Sequence, residues 1–336
     1  MSLGPIVSVL IPARDAAATL PACLRSVERQ RFAAWECVIV DDGSSDATLA
    51  CAREFAARDR RFVVVATAAA GLVAALNTGL ARCRGALVAR MDADDVMHRD
   101  RLAAQVAALR GERRLVAVGC HVRLFPRAGL TAGRRAYERW LNGIDSAERV
   151  RAEAFVECPV AHPTLMLRRE ALAAGYYDQG WPEDYDLVLR LLAEGREIGV
   201  VPRRLLAWRD GPRRLSRSDA TYGLDRFTAC KAAFLARGFL ARAERYVLWG
   251  YGDTGRALRR ALAGHGKLPS HVVELHPGRL GNVIHGAPVI APERLREPAC
   301  RRPVVVSVAG EGPRRQIRDA LGRMGYDELR DYVCAA

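Results

Sequence analysis

With 336 residues, half of them apolar and 27% charged, the chain has the make-up of a globular protein large enough for two domains. It contains no run near the roughly 20 apolar residues that cross a bilayer. Its nine scattered cysteines lack any Cys-x-x-Cys pair, which argues against a disulfide framework and a zinc site. No basic leader with a cleavage site precedes Ile6, so a reduced, cytoplasmic protein is expected. The net charge of +14 is carried almost wholly by arginine, with lysine only at Lys231 and Lys267. That balance fits GC-rich coding, and it also fits attraction to nucleotide phosphates or to the anionic inner face of a membrane. No basic stripe is interleaved with aromatics, so nucleic acid is not expected as a partner.

Ile6–Ile11 reads as a strand closed by Pro12, and Thr19 caps a helix whose Leu20, Leu24 and Val27 share one face. Cys37–Val40 is a second buried strand, running into Asp41 and Asp42. The turn Gly43–Asp46 launches the next helix. Phe62–Ala66 is a third strand, and Leu72, Leu76 and Leu80 mark a helix that stops at Gly85. The fourth strand starts at Ala86 and ends in Asp92, Asp94 and Asp95. Alternation of this kind predicts a mostly parallel sheet with helices on both faces.

Asp92 and Asp94 flank Ala93, so an extended backbone points both carboxylates the same way. In open α/β sheets ligands sit at the carboxyl ends of the strands. A divalent cation carrying a substrate's phosphates would relieve the repulsion between the two acids. The plainer reading is an Asp-rich turn capping the helix near His98. The pair Asp41-Asp42, closing a strand of the same sheet, favours the cation reading.

Beyond Leu115 the pattern loosens. Leu115–Val118 and His121–Phe125 read as separate strands, Arg134–Asn142 and Ala147–Phe155 as helices, and Pro159–Leu167 as a strand entered through two prolines. Pro182 and the acids Glu183, Asp184 and Asp186 suit the first turn of a helix carrying Leu187, Leu191 and Leu192, which by itself accounts for them. His162, flanked by apolar residues and Pro163, reads either as a hydrogen-bonded structural residue or as a metal ligand.

These segments together resemble the inverting family 2 glycosyltransferases of the GT-A fold. The resemblance is carried by Val7–Pro12, Val38–Ser44, Ala74–Gly79, Arg90–Asp95, Ala161–Met166, Pro182–Asp186 and Trp208–Arg217, and it covers roughly residues 5–240. It implies that residues 1–242 form a GT-A domain, with a nucleotide-binding half over about 1–110 and an acceptor half over about 111–242. By the same resemblance Asp41 reads the nucleotide base, Pro12, Ala13, Arg14 and Asp15 line its pocket, and Asn77 belongs to the donor site. Asp92 contacts ribose or sugar, and Asp94, with Asp92 beside it, is the main ligand of Mn²⁺ or Mg²⁺; on its metal reading His162 would join them. Asp184 is the general base with Glu183 beside it. Arg213, Arg214 and Arg217 read either as a loop that clamps diphosphate or as a solvated arginine-rich run. Where the family has an aromatic residue and Asn after the first-strand proline, this chain has Ala13-Arg14-Asp15, which leaves the nucleotide base open. The Gln-x-x-Arg-Trp run of processive synthases is absent, so one sugar per encounter is expected.

From Tyr246 a new pattern begins. A strand runs into Gly250-x-Gly252-x-x-Gly255, Arg256–Leu262 reads as a helix, Val272–Glu274 as a strand ending in an acid, and Val304–Val308 as a third. This predicts a small Rossmann-like domain over 243–336 with about three strands. Its glycines either approach a phosphate or permit tight strand–helix packing.

The expected function is therefore a metal-dependent transfer of sugar, UDP-linked, to a glycan or lipid-linked acceptor. Rival readings are an NAD(P)-dependent oxidoreductase using the C-terminal glycines and a non-catalytic sugar-nucleotide-binding protein.

Overall fold

The computed structural model describes residues 4–211, 214 and 219–336. The chain divides into two compact units. The first comprises Met1–Val150, Val160–Asp178 and Arg190–Arg214, and the second Arg151–Pro159, Gln179–Leu189 and Leu215–Ala336.

The first unit is built on β1 (Val7–Ala13), β2 (Trp35–Asp42), β3 (Phe62–Thr67), β4 (Leu87–Arg90), β5 (Val96–Met97), β6 (Leu115–Phe125), β7 (Met166–Arg168) and β8 (Glu197–Arg209). They form one sheet in the order β3-β2-β1-β4-β7-β6-β8-β5. The β3-β2-β1-β4 half is parallel, as its βα alternation requires. Every residue of β1, β2 and β4 is buried, so these strands read as continuous apolar runs. The register sets Ala13 opposite Asp41, so the end of β1 and the acidic end of β2 are level. Helices α1 (Leu20–Glu28), α2 (Thr48–Arg58), α3 (Leu72–Arg82) and α4 (Arg101–Gly111) supply the crossovers, and α5 (Ala132–Asn142) and α6 (Ala147–Glu153) follow β6 in the chain. Val9, Ile11, Leu24, Ile39, Ala89 and Leu102 lie in one core cluster with no exposed surface.

Two sequence expectations are corrected here. Leu115–Val118 and His121–Phe125 are one strand, parallel to β8, with the break absorbed as register shifts around Cys120 and His121. Pro159–Leu167 is mostly not a strand. His162–Thr164 form a 3₁₀ turn, closed by Thr164 Oγ1 donating to Ala161 O at 2.6 Å, and only Met166–Arg168 pair, antiparallel to β4 and β6.

In the second unit, β9 (Arg245–Trp249), β10 (Leu268–Val273), β11 (Val283–Ile284), β12 (Ala287–Ile290), β13 (Val304–Val306) and β14 (Tyr332–Cys334) form a six-stranded sheet, ordered β11-β12-β10-β9-β13-β14. All neighbours but β11 and β12 are parallel. Six strands replace the three expected. The extra ones are two to four residues long, too short to show a period. Helices Leu224–Arg237, Asp253–Ala263 and Glu311–Arg323 complete the unit.

Candidate active site

The loops after β1 and β2 are sewn together by their own polar groups. Asp15, at φ +46°, accepts from the Ser45 backbone N–H at 2.7 Å and its hydroxyl at 3.0 Å, which holds its carboxyl below the usual range. Asp46 accepts from Ala17 N at 3.0 Å and from Thr48 N at 2.9 Å, while Thr48 Oγ1 accepts from Ala16 N at 2.7 Å.

The two aspartates closing β2 have different tasks. Asp42 takes the backbone N–H groups of Ala70 and Gly71 at 2.7 and 3.0 Å and pins the lead-in to α3, with Arg14 at 3.7 Å. Asp41 is 2% exposed, and its Oδ2 accepts from Ser44 N at 3.3 Å. Among the described residues its Oδ1 has no partner. A buried acceptor left open at the end of a parallel strand is available to a ligand's N–H.

At the end of β4 the carboxylate oxygens of Asp92, Asp94 and Asp95 lie within 4.8 Å of one another. Buried Arg90 ion-pairs with Asp92. Asp95 is fully buried. Its Oδ1 accepts from Arg209 N at 2.7 Å, and its Oδ2 has no partner among the described residues. Arg209 Nε also donates to the Asp94 carbonyl at 2.8 Å, so β8 holds the turn closed. Burial first and the Asp92 charge second push the Asp94 carboxyl up to about 6, against the pull of Arg214 and Arg209. Burial, reinforced by Asp92 and Asp94, pushes the Asp95 carboxyl well up. Three acids crowded into one partly dry place, with one oxygen orphaned, form a donor set fitted to a hard divalent cation. Asp95 and Arg209 were not singled out from the sequence. The third Asp of the run was visible there, but its burial was not.

The other expected residues are placed as follows. Pro12 and Ala13 are buried at the end of β1, and Arg14 is exposed. Asn77, on α3, donates through Nδ2 to Tyr176 O at 2.9 Å and accepts from Tyr176 N at 2.8 Å, so its amide brackets the chain after β7. His162 is 4% exposed, with Nε2 3.2 Å from Tyr176 Oη and ring centroids 5.4 Å apart. The acid cluster found at the end of β4 comprises the three aspartates. Arg213 and Arg217 lie outside the described residues.

Glu183 and Asp184 open α7 (Glu183–Ala193), whose first turn belongs to the second unit. Glu183 is buried and its Oε2 accepts from Tyr222 Oη at 2.6 Å. Asp186 is buried and accepts from Trp181 Nε1 at 3.1 Å. Asp184 is half-buried, with Oδ1 accepting from Tyr185 N at 2.7 Å. Solvent therefore reaches Asp184 more readily than its two acidic neighbours.

In the C-terminal glycine loop the polar groups are used internally. Glu274 Oε1 accepts from Tyr251 N at 2.9 Å and from Arg279 Nη1 at 3.2 Å. A Cβ on Gly255 would lie 2.3 Å from Gly250 O and 2.7 Å from Ser307 Oγ, so close strand–helix packing requires that glycine.

Residues 8–175, half of the chain, match the model of the family described as "Glycosyl transferase family 2". The chain belongs to glycosyl transferase family 2. Relatives agree with that membership. The glycosyltransferase EpsE of Bacillus subtilis (strain 168) is 30% identical over 242 residues, 69% of this chain and 84% of EpsE. The amylovoran biosynthesis glycosyltransferase AmsE of Erwinia amylovora is 31% identical over 195 residues, 57% of this chain and 71% of AmsE. Among solved structures, S. aureus TarS in complex with UDP-GlcNAc superimposes with a TM-score of 0.56 at 15% identity, covering 95% of this chain and 80% of that one. The mannosyltransferase PcManGT of Pyrobaculum calidifontis, in complex with GDP-Man and Mn²⁺, gives 0.52 at 20% identity, covering 79% and 70%. At these identities the structures establish the GT-A-like fold. Family 2 membership makes the chain a sugar-transferring enzyme, and no helix among its described residues is long and apolar enough to cross a membrane.

Proposed function

We propose that this family 2 enzyme is a metal-dependent, inverting, non-processive glycosyltransferase. It moves a sugar from a nucleoside diphosphate donor, UDP-linked, to a hydroxyl of a cell-surface glycan or lipid-linked acceptor. The observation that carries the reading is the crowding of Asp92, Asp94 and Asp95, with the Asp94 carboxyl raised to about 6 by burial and by its neighbour. The printed ligands of the structural relatives, UDP-GlcNAc for TarS and GDP-Man with Mn²⁺ for PcManGT, support a nucleotide-sugar donor and a divalent ion.

Asp92 and Asp94 would hold Mn²⁺ or Mg²⁺, which supplies positive charge opposite the leaving diphosphate. Asp41 offers its open Oδ1 to an N–H of the base, with Pro12, Ala13 and Arg14 beside it. Arg217 is the residue the family resemblance assigns to binding the diphosphate. Asp184 takes the proton of the acceptor hydroxyl as its oxygen bonds to the anomeric carbon, and the nucleoside diphosphate departs from the opposite face. Glu183, held by Tyr222, keeps the first turn of α7 in place. Residues 1–242 carry the transfer, with the donor half over about 1–110, and 243–336 form a separate Rossmann-like domain. The enzyme works in the cytoplasm, in peripheral contact with the membrane.

Calorimetry with a nucleotide panel, with and without Mn²⁺, tests this. UDP should bind with Mn²⁺ and be lost in EDTA, whereas tight NAD(P) binding that survives EDTA would replace this reading with an oxidoreductase. Asp184→Asn should keep donor binding and lose about 10²–10⁴-fold in turnover. Full retained turnover removes Asp184 from the base role.

A further inference from the structure

A trough of about 1000 Å³ in the first unit lies along α1, β5 and β8, and its lining includes Arg25, Arg29, Arg31, Arg99, Arg123 and Arg204. No Asp, Glu, Asn or Gln lines it, and its polar lining besides arginine is Ser26 and His98; the Ser26 hydroxyl is used internally, donating to Cys23 O at 2.6 Å and accepting from Met97 N at 3.1 Å. Arg25 stands in the last turn of α1 and Arg29 is its C-cap, four positions on, so their mutual repulsion is set against the negative end of the helix. Arg123 and Arg204 are exposed on β6 and β8. Of the six, Arg31 is paired, to Asp100 at 3.0 Å. Among the described residues no carboxylate forms an ion pair with the other five.

By contrast, Arg61, Arg90, Arg127 and Arg134 in the first unit each meet a carboxylate. The wall therefore carries an unbalanced positive field over a floor that includes Val96, Met97 and Ala207. The arginine-dominated wall narrows the ligand. Neutral sugar hydroxyls need acceptors as well as donors, and single-stranded nucleic acid needs a series of rings on which successive bases stack, where this trough has His98 alone. Phosphate oxygens are acceptors only, and arginine meets them with paired N–H groups. An apolar floor beneath those arginines suits the first carbons attached to such a phosphate.

We propose that this trough seats the phosphate headgroup of an anionic membrane phospholipid and is the surface by which the enzyme docks on the bilayer. The proposal gives the peripheral contact in the functional reading a place, and its test involves no sugar transfer, so the two can fail separately.

The full chain is sedimented with vesicles of phosphatidylcholine alone and of phosphatidylcholine with phosphatidylglycerol. Binding is expected only to the second kind, and 1 M salt, where the screening length is about 3 Å, should release it. Each basic residue near an anionic surface contributes about 1 kcal/mol, so Arg123→Gln with Arg204→Gln should weaken binding about 30-fold. Arg25→Gln with Arg29→Gln should do the same, with unchanged thermal melting and unchanged UDP binding in both. Arg242→Gln with Arg302→Gln, on a different basic surface, should leave vesicle binding unaltered. The proposal is overturned if neither pair within the trough weakens binding, if the control pair weakens it equally, or if glycerol 3-phosphate at millimolar concentration displaces the vesicles completely. It is also overturned if the wild type binds a short RNA through these arginines and no vesicle.

Discussion

Both units are built on sheets with parallel strands at their centre, whose strand ends carry glycines and acids, yet the two treat those residues differently. In the first, the end of β4 gathers three carboxylates whose charges are only partly answered, and the end of β2 leaves an Asp41 oxygen open. In the second, Glu274 is occupied by Tyr251 N–H and Arg279, and Gly255 is occupied by the backbone it packs against. Strand-end glycines and acids are thus common to both, and what separates a site from a turn is whether their polar groups remain uncompensated.

The strongest way to break that contrast is Asp94→Asn. Removing the charge that burial and Asp92 oppose should raise the melting temperature of the metal-free enzyme while abolishing its stabilisation by Mn²⁺. Transfer should fall by at least about 10²-fold, the usual cost of removing a group that answers transition-state charge. The pH dependence has a definite sign. With the folded Asp94 carboxyl near 6 and its ordinary value 3.8, the native state binds more protons than the unfolded one in between, so metal-free stability falls as pH rises through that window. Since the ion needs the carboxylate, the Mn²⁺-induced rise in melting temperature should fade as pH drops through 6. A wild type whose melting temperature matches that of Asp94→Asn at pH 7.5 without metal would remove the electrostatic strain.

A smaller effect comes from the glycine loop. Gly255→Ala drives a Cβ against Gly250 O and should cost the second unit about 1–3 kcal/mol. Gly252, whose Cβ would meet nothing within 4 Å, should cost less than about 1 kcal/mol as Ala. Equal costs in urea melts would mean that packing is not what these glycines serve.

Much of this was legible from the chain alone, and the failures share a cause. β1–β3 are six to eight residues long and largely apolar, and four-residue β4 sits between Gly85 and the aspartates, so pattern and turn chemistry agree there. β11, β12 and β14 offer two to four residues each and pair through contacts distant in sequence, which no local pattern encodes. The acids were visible as a motif, but their division of labour was not. Asp41 and Asp42 are adjacent in sequence, and only the fold shows that one pins a loop while the other keeps an oxygen open. His162 likewise shows its partner only in the fold, with Nε2 3.2 Å from Tyr176 Oη, fourteen positions away in sequence.

The mildest test asks whether electrostatic strain alone, without open coordination, marks a site. Lys231 is strained too: burial pushes its ammonium down to about 8, although Glu157 pulls the other way. Unlike the Asp92 cluster it is satisfied, since Nζ donates to Ala335 O at 2.7 Å and to Val156 O at 3.2 Å. Between about 8 and the ordinary 10.5 the unfolded chain binds more protons at this position, so its contribution to stability rises with pH. Thiols and phenols titrate in the same range, so the quantity to measure is the wild-type stability minus that of Lys231→Met. That difference should rise by on the order of 1 kcal/mol between pH 8 and 10, once its partial exposure is allowed for. Neither protein should respond to Mn²⁺ or phosphate at this position. If Lys231→Met altered Mn²⁺-dependent UDP binding, satisfied and unsatisfied strain would be equivalent, and the distinction between the two units would fail.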